Sequence, residues 1–317
     1  MEGNPRAGFP SKSVRQDPRK VHQLRLLKDL IARRLMFLLT AVPGLLVFLM
    51  LFGLLQKSRA ILALKTFSSL LFGSSWHPLK GEFGLFPFLM GTLWVTLAAM
   101  VIAVPISLLT AVFLSEYAPR FVREFAKPMI DLLAGIPSVV YGVWGVLMVV
   151  PFVGKTLAPL FGTYSSGYCV LSGGVVLAIM VFPTIIHVAL EVFSTVPNEL
   201  REASLSLGAT KWETVKHVVL RKGLQGIIAA VVLGLSRAFG ETIAVLMVVG
   251  NVPKLPKSIF DPAYPLPALI ANNYGEMMSV PLYDSALMLA ALVLLLVVLV
   301  FNLGARFILV RAERKAE

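Results

Sequence analysis

The stretch LGLSRAFGETIAVLMVVG, residues 233–250, has the apolar content of a helix crossing a lipid bilayer, yet carries Arg237 and Glu241 near its middle. An arginine at mid-bilayer costs roughly 2.5 to 3.5 kcal/mol on insertion scales, so the sequence must give a reason for it. The surrounding chain supports the membrane reading. Hydrophobic residues make up 57% of the 317 and charged residues only 15%, and the mean hydropathy is +0.82. Soluble domains run nearer 45–50% apolar and about 25% charged.

Six apolar segments have the length of a bilayer span: about 33–55, 86–114, 129–151, 170–196, 225–250 and 283–309. Each must satisfy its own backbone hydrogen bonds in lipid, so all six are expected to be α-helices, and the fold class is an all-α integral membrane protein. Of the 29 Lys and Arg, seven (Lys57, Arg59, Lys65, Lys80, Lys155, Lys254, Lys257) fall on one side of such a topology. Arg237 lies within the membrane, and the other 21 fall on the opposite side, which places both termini in the cytoplasm. The net charge of +12 is therefore assigned to orientation and not to a nucleic-acid partner. The single cysteine, Cys169, excludes an intrachain disulfide, and no Cys/His cluster suggests a metal site. Residues 1–32, with no apolar run, read as a loose cytoplasmic tail. Pro or Gly interrupts several spans, at AVPG (41–44), AVPIS (103–107), GIPS (135–138) and VFPT (181–184), where bends around a pathway are expected.

The cytoplasmic connection PNELREASLSLGATKWETVKHVVLRKGLQG, residues 197–226, predicts two short helices meeting at Gly208. Leu200, Ala203, Ser204 and Leu207 share one face of the first, and Thr210 with Glu213 has the spacing of a capping box for the second. A weakly apolar, small-residue face on the cytoplasmic side suits docking into a protein groove.

From Glu202-Ala203-Ser204 to Gly208, this connection resembles the EAA loop of permease subunits of ATP-binding-cassette importers. Val218 and Leu220 continue the pattern, while Ser204 stands for its second alanine and Arg221 for its proline. IPSVVYGVWGV (136–146), SRAFGETIAVLMVVGNVP (236–253) and SIFDPAYPLPALIANNYGE (258–276) are similar to stretches of the PstC-type permeases of bacterial phosphate-specific transport systems. The resemblance covers about residues 86–310 and implies a type I importer permease fold with six transmembrane helices in the inner membrane. It divides the chain into the tail, a first span with its outside loop (33–85), a five-span core (86–310) with the coupling loop at 197–224, and a short cytoplasmic end (311–317). It also implies the partners: a PstA-type permease, two PstB-type ATPase subunits, and a periplasmic or lipid-anchored phosphate-binding protein. In such a machine Glu202, Ala203, Ser204 and Gly208 would contact the ATPase.

The chain is not expected to hydrolyse ATP or to need a cofactor. Gly154-Lys155-Thr156 imitates the end of a phosphate-binding loop, but Val149 replaces its first glycine. On one continuous helix Arg237 and Glu241 would share a face, and an i,i+4 pair contributes only about 0.2–0.5 kcal/mol, too little to account for both charges. Arg237 is therefore expected to line the anion's path, its guanidinium fork matching two phosphate oxygens, with Glu241 holding the guanidinium and moderating its pull. His187, Glu191 and Asp131 are weaker candidates, read as polar contacts, and Tyr141 and Trp144 are possible lining aromatics. Two alternatives stay open: a permease for another oxyanion, sulfate or molybdate, and a proton-coupled secondary anion transporter.

Overall fold

The computed structural model describes residues 18–276 and 280–313, and the chain divides at Gly53 into an N-terminal unit and a compact unit beginning at Leu54. Helix α1, Pro18–Leu64, runs through both, so helix begins well inside the segment expected to be a loose tail. In the N-terminal unit the side chains from Lys28 to Met50 are exposed all round.

The compact unit continues with α2 (Phe67–Phe72) and a hairpin pairing β1 (Trp76–His77) with β2 (Glu82–Phe83). Helix α3 (Phe86–Tyr117) ends in a widened π turn over its last five residues. Then come α4 (Arg120–Gly135), α5 (Ser138–Leu160), α6 (Val170–Ser194), α7 (Asn198–Ser206) and α8 (Lys211–Lys222). The chain closes with α9 (Leu224–Gly240), α10 (Ile243–Val248), α11 (Leu266–Asn273) and α12 (Tyr283–Glu313). Among the described residues five helices are long and apolar enough to cross a bilayer, and six if α8 and α9, bent by 70° at Gly223, count as one span.

The prolines act unequally. Pro43, Pro105 and Pro183 lie inside helices that continue past them. Pro137 terminates one: the preceding Ile136 is extended, as residues before proline prefer, and Gly135 closes α4. The third span is consequently Ser138–Leu160 and not 129–151, and Lys155, expected in an outside loop, sits within it. Helix α4 is a separate amphipathic element whose Phe121, Phe125, Met129 and Leu132 are exposed. Asp131 belongs to α4 and not to a span, and its carboxylate meets His187 Nε2 of α6 at 2.9 Å.

Three apolar clusters hold the compact unit together. One joins α3, α6 and α9 through residues such as Val95, Ala99, Leu177, Val181 and Ala230. A second, around Phe193, Ile186 and Val219, joins the ends of α3 and α6 to α8. A third, around Tyr141, Val176 and Val248, joins α5, α6 and α10. Gly174 lets α3 and α6 approach closely, since a Cβ there would stand 2.8 Å from that of Ala98. The start of α6 is anchored by a loop: the amides of Val170 and Leu171 donate to the carbonyls of Asp261 and Ile259 at 3.0 and 2.8 Å.

Candidate translocation surface and docking helix

The quoted stretch is not one helix. Helix α9 stops at Gly240, Glu241 is extended (φ −73°, ψ 125°), and α10 begins two residues later. Glycine weakens a helix at this point, and the Glu241 carboxylate accepts from the Ala244 amide at 3.4 Å, serving the free N-terminus of α10. The break takes Glu241 off the helical face of Arg237, and among the described residues no Arg237–Glu241 ion pair forms. The expectation that one carboxylate holds the other residue's guanidinium is corrected accordingly.

Arg237 instead donates from Nη1 to Thr184 Oγ1 of α6 at 2.8 Å, and its side chain is exposed. A guanidinium carries five N–H donors, so one bond to a threonine leaves most of the fork available. Thr184 was legible only as part of the VFPT interruption; its proximity to Arg237 across 53 residues depends on the packing of α6 against α9. That packing rests on Gly234, where a Cβ would lie 2.7 Å from Ile185 Cγ1. Glu241 is half-buried beside this surface. Tyr141 is buried, with its hydroxyl donating to the Leu133 carbonyl at 2.8 Å, and it lines an apolar cavity together with the exposed Trp144, Val140 and Ile179. His187 is engaged with Asp131, as a polar contact between helices.

At the opposite end of α9's approach stands the expected pair of short helices. Helix α7 closes on Gly208, whose φ of +87° is left-handed and favours glycine. The Gly208 amide donates to Leu205 and the Ala209 amide to Ser204, the pairing that ends helices at such a glycine. Thr210 and Glu213 form the capping box: the Thr210 amide reaches Glu213 Oε2 at 2.7 Å, and the Glu213 amide reaches Thr210 Oγ1 at 3.3 Å. No residue of α7 is buried. Glu202, Ala203 and Leu207 face outward, whereas Ser204 turns inward to meet Thr214 Oγ1 at 2.9 Å. Leu207 and Trp212 add exposed apolar surface on the same connection.

Over residues 103–316 the chain matches a family model described as "binding-protein-dependent transport system inner membrane component". The chain belongs to this family. Among curated relatives of this permease, the "Phosphate transport system permease protein PstC" of Xylella fastidiosa is 41% identical over 78% of this chain and 80% of its own length. The "Probable ABC transporter permease protein YqgH" of Bacillus subtilis is 37% identical over 74% and 75%. The "Probable phosphate transport system permease protein PstC" of Methanocaldococcus jannaschii is 34% identical over 72% and 75%. A solved inward-facing structure of the MetNI methionine ABC transporter matches with a TM-score of 0.54 at 21% identity, covering 70% of this chain and 93% of that one. The permease therefore has the type I importer fold.

Proposed function

We propose that this permease forms half of the pathway through which an ATP-driven importer moves inorganic phosphate into the cell. The other half would be a PstA-type permease, with two PstB-type ATPase subunits below, a phosphate-binding protein outside and both termini in the cytoplasm. The observation that carries the reading is Arg237: exposed, on an interrupted helix, with one donor engaged by Thr184. A guanidinium there can meet two oxygens of a tetrahedral anion, and water or substrate on that surface accounts for a charge that lipid would reject. Several relatives named as phosphate permeases point to the same substrate. The exposed face of α7, with Glu202, Ala203 and Gly208, is the proposed contact with the ATPase.

The test is purification in mild detergent with whatever subunits accompany the chain, followed by reconstitution with labelled phosphate. Uptake should need ATP, survive collapse of the proton gradient, and fall when unlabelled phosphate, but not sulfate or molybdate, is added in excess. Uptake driven by the gradient without ATP, or suppressed equally by sulfate, would refute the proposal.

A further inference from the structure

Helix α7 has no buried residue, yet Arg201 ties it to the ends of α3 and α6. Arg201 Nη2 lies 2.8 Å from Glu116 Oε1 and its Nε lies 3.2 Å from Oε2, so the guanidinium grips the carboxylate with two donors. Its remaining donors reach the carbonyls of Phe193, at 2.9 Å, and Val196, and the Asn198 side chain at 3.2 Å. All five N–H groups are thereby engaged, and the two side chains are only 17% and 9% exposed. Glu116 sits in the π turn that ends α3, and Phe193 lies in the last turn of α6.

Desolvating two charges is costly, and well-packed apolar residues often stabilise a fold as well as a buried ion pair does. What apolar residues lack is fixed direction, which a forked guanidinium on a carboxylate provides. We propose that Arg201 and Glu116 are positioning residues that make α7 move as one body with α3 and α6, carrying displacement of the docking helix to the Arg237 surface. The connection is physically continuous. Arg201 grips the ends of α3 and α6; those two helices meet closely at Gly174 and Ala98; and α6 presents Thr184, which holds Arg237. From Phe193 to Thr184 is nine residues of helix, roughly 14 Å at 1.5 Å per residue.

The inference rests on the proposed docking of α7 to an ATPase, and the two can fail separately. In the reconstituted complex the readout is phosphate moved per ATP hydrolysed, normalised to assembled complex. Arg201→Gln and Glu116→Gln should keep the ATPase bound and hydrolysing but lower that ratio about 10-fold, within the usual range of coupling between sites. The charge-swapped double variant, Arg201→Glu with Glu116→Arg, should recover part of it. Should Arg201→Gln fail to assemble, Arg201→Lys, which retains the charge and loses the fork, carries the same test. An unchanged ratio, with transport and hydrolysis falling only in step with the amount of complex, would overturn the proposal. The docking reading is tested by Leu207→Glu with Trp212→Glu, which leaves the ion pair intact: undiminished ATPase copurification would sink docking whatever the coupling ratio shows.

Discussion

Replacing Arg237 with glutamine should lower phosphate uptake by at least about 100-fold while assembly and basal ATP hydrolysis persist. The magnitude follows from the chemistry of the fork. Each hydrogen bond from a charged donor contributes about 1.5–3 kcal/mol, and losing two of them to an oxyanion is worth roughly 3 kcal/mol or more, at 1.4 kcal/mol per factor of ten. Assembly should survive because the side chain is exposed and has one described side-chain partner, Thr184 Oγ1. Uptake of labelled phosphate by the reconstituted complex checks this, and uptake within twofold of the unsubstituted protein would remove Arg237 from the pathway. Arg237→Lys should fall between the two, since an ammonium retains the charge but not the planar pair of donors.

The second large effect concerns the frame that carries this surface. Gly174→Val should prevent stable assembly or lower the unfolding temperature of the detergent-solubilised chain by several degrees. Small residues allow membrane helices to approach closely, and this seam uses that allowance fully: a Cβ at 174 would stand 2.8 Å from Ala98 Cβ and 3.3 Å from Ala98 and Ala99 backbone atoms. Backbone cannot step aside as a flexible side chain can. Overpacking of this kind costs about 1–3 kcal/mol, and the two extra methyls of valine add to it. Thermal unfolding followed by size-exclusion chromatography would show it; an unchanged midpoint would mean that α3 and α6 are not held at this distance. Gly234→Val should be milder, because its neighbours are the side-chain ends of Ile185 and Val181.

The parts of this structure that were legible in the sequence are those whose physics is local. Gly208 and the Thr210/Glu213 pair determine their turns within a few residues, and the structure shows the left-handed glycine and both capping bonds as the spacing predicts. The apolar runs marked the membrane helices because lipid imposes their length. The breaks were harder. Pro183 and Pro105 are absorbed within long helices, whereas Pro137, with Gly135 two residues before it, ends one. The stop at Gly240 was harder to foresee, because only Glu241 and Thr242 separate it from the further apolar run Ile243–Val248, and the whole stretch has the length of one span. The polar partnerships were invisible for a different reason. Thr184 lies 53 residues from Arg237, and Glu116 lies 85 from Arg201. Only the packing of α6 against α3 and α9 brings them together. The expected Arg237–Glu241 pair failed on the same ground, because it assumed a helix that the chain does not continue.

Water access at position 237 separates a pathway cation from a merely structural one. Arg237→Cys in the assembled complex should react with a water-soluble, membrane-impermeant thiol reagent, while Cys169, buried at 0% exposure, serves as the unreactive internal control. Modification at 237 at least about tenfold faster than at 169, quickened further during ATP turnover, is the expected result. Equal resistance of the two thiols would place residue 237 in a sealed, apolar seam and contradict its role in meeting the anion.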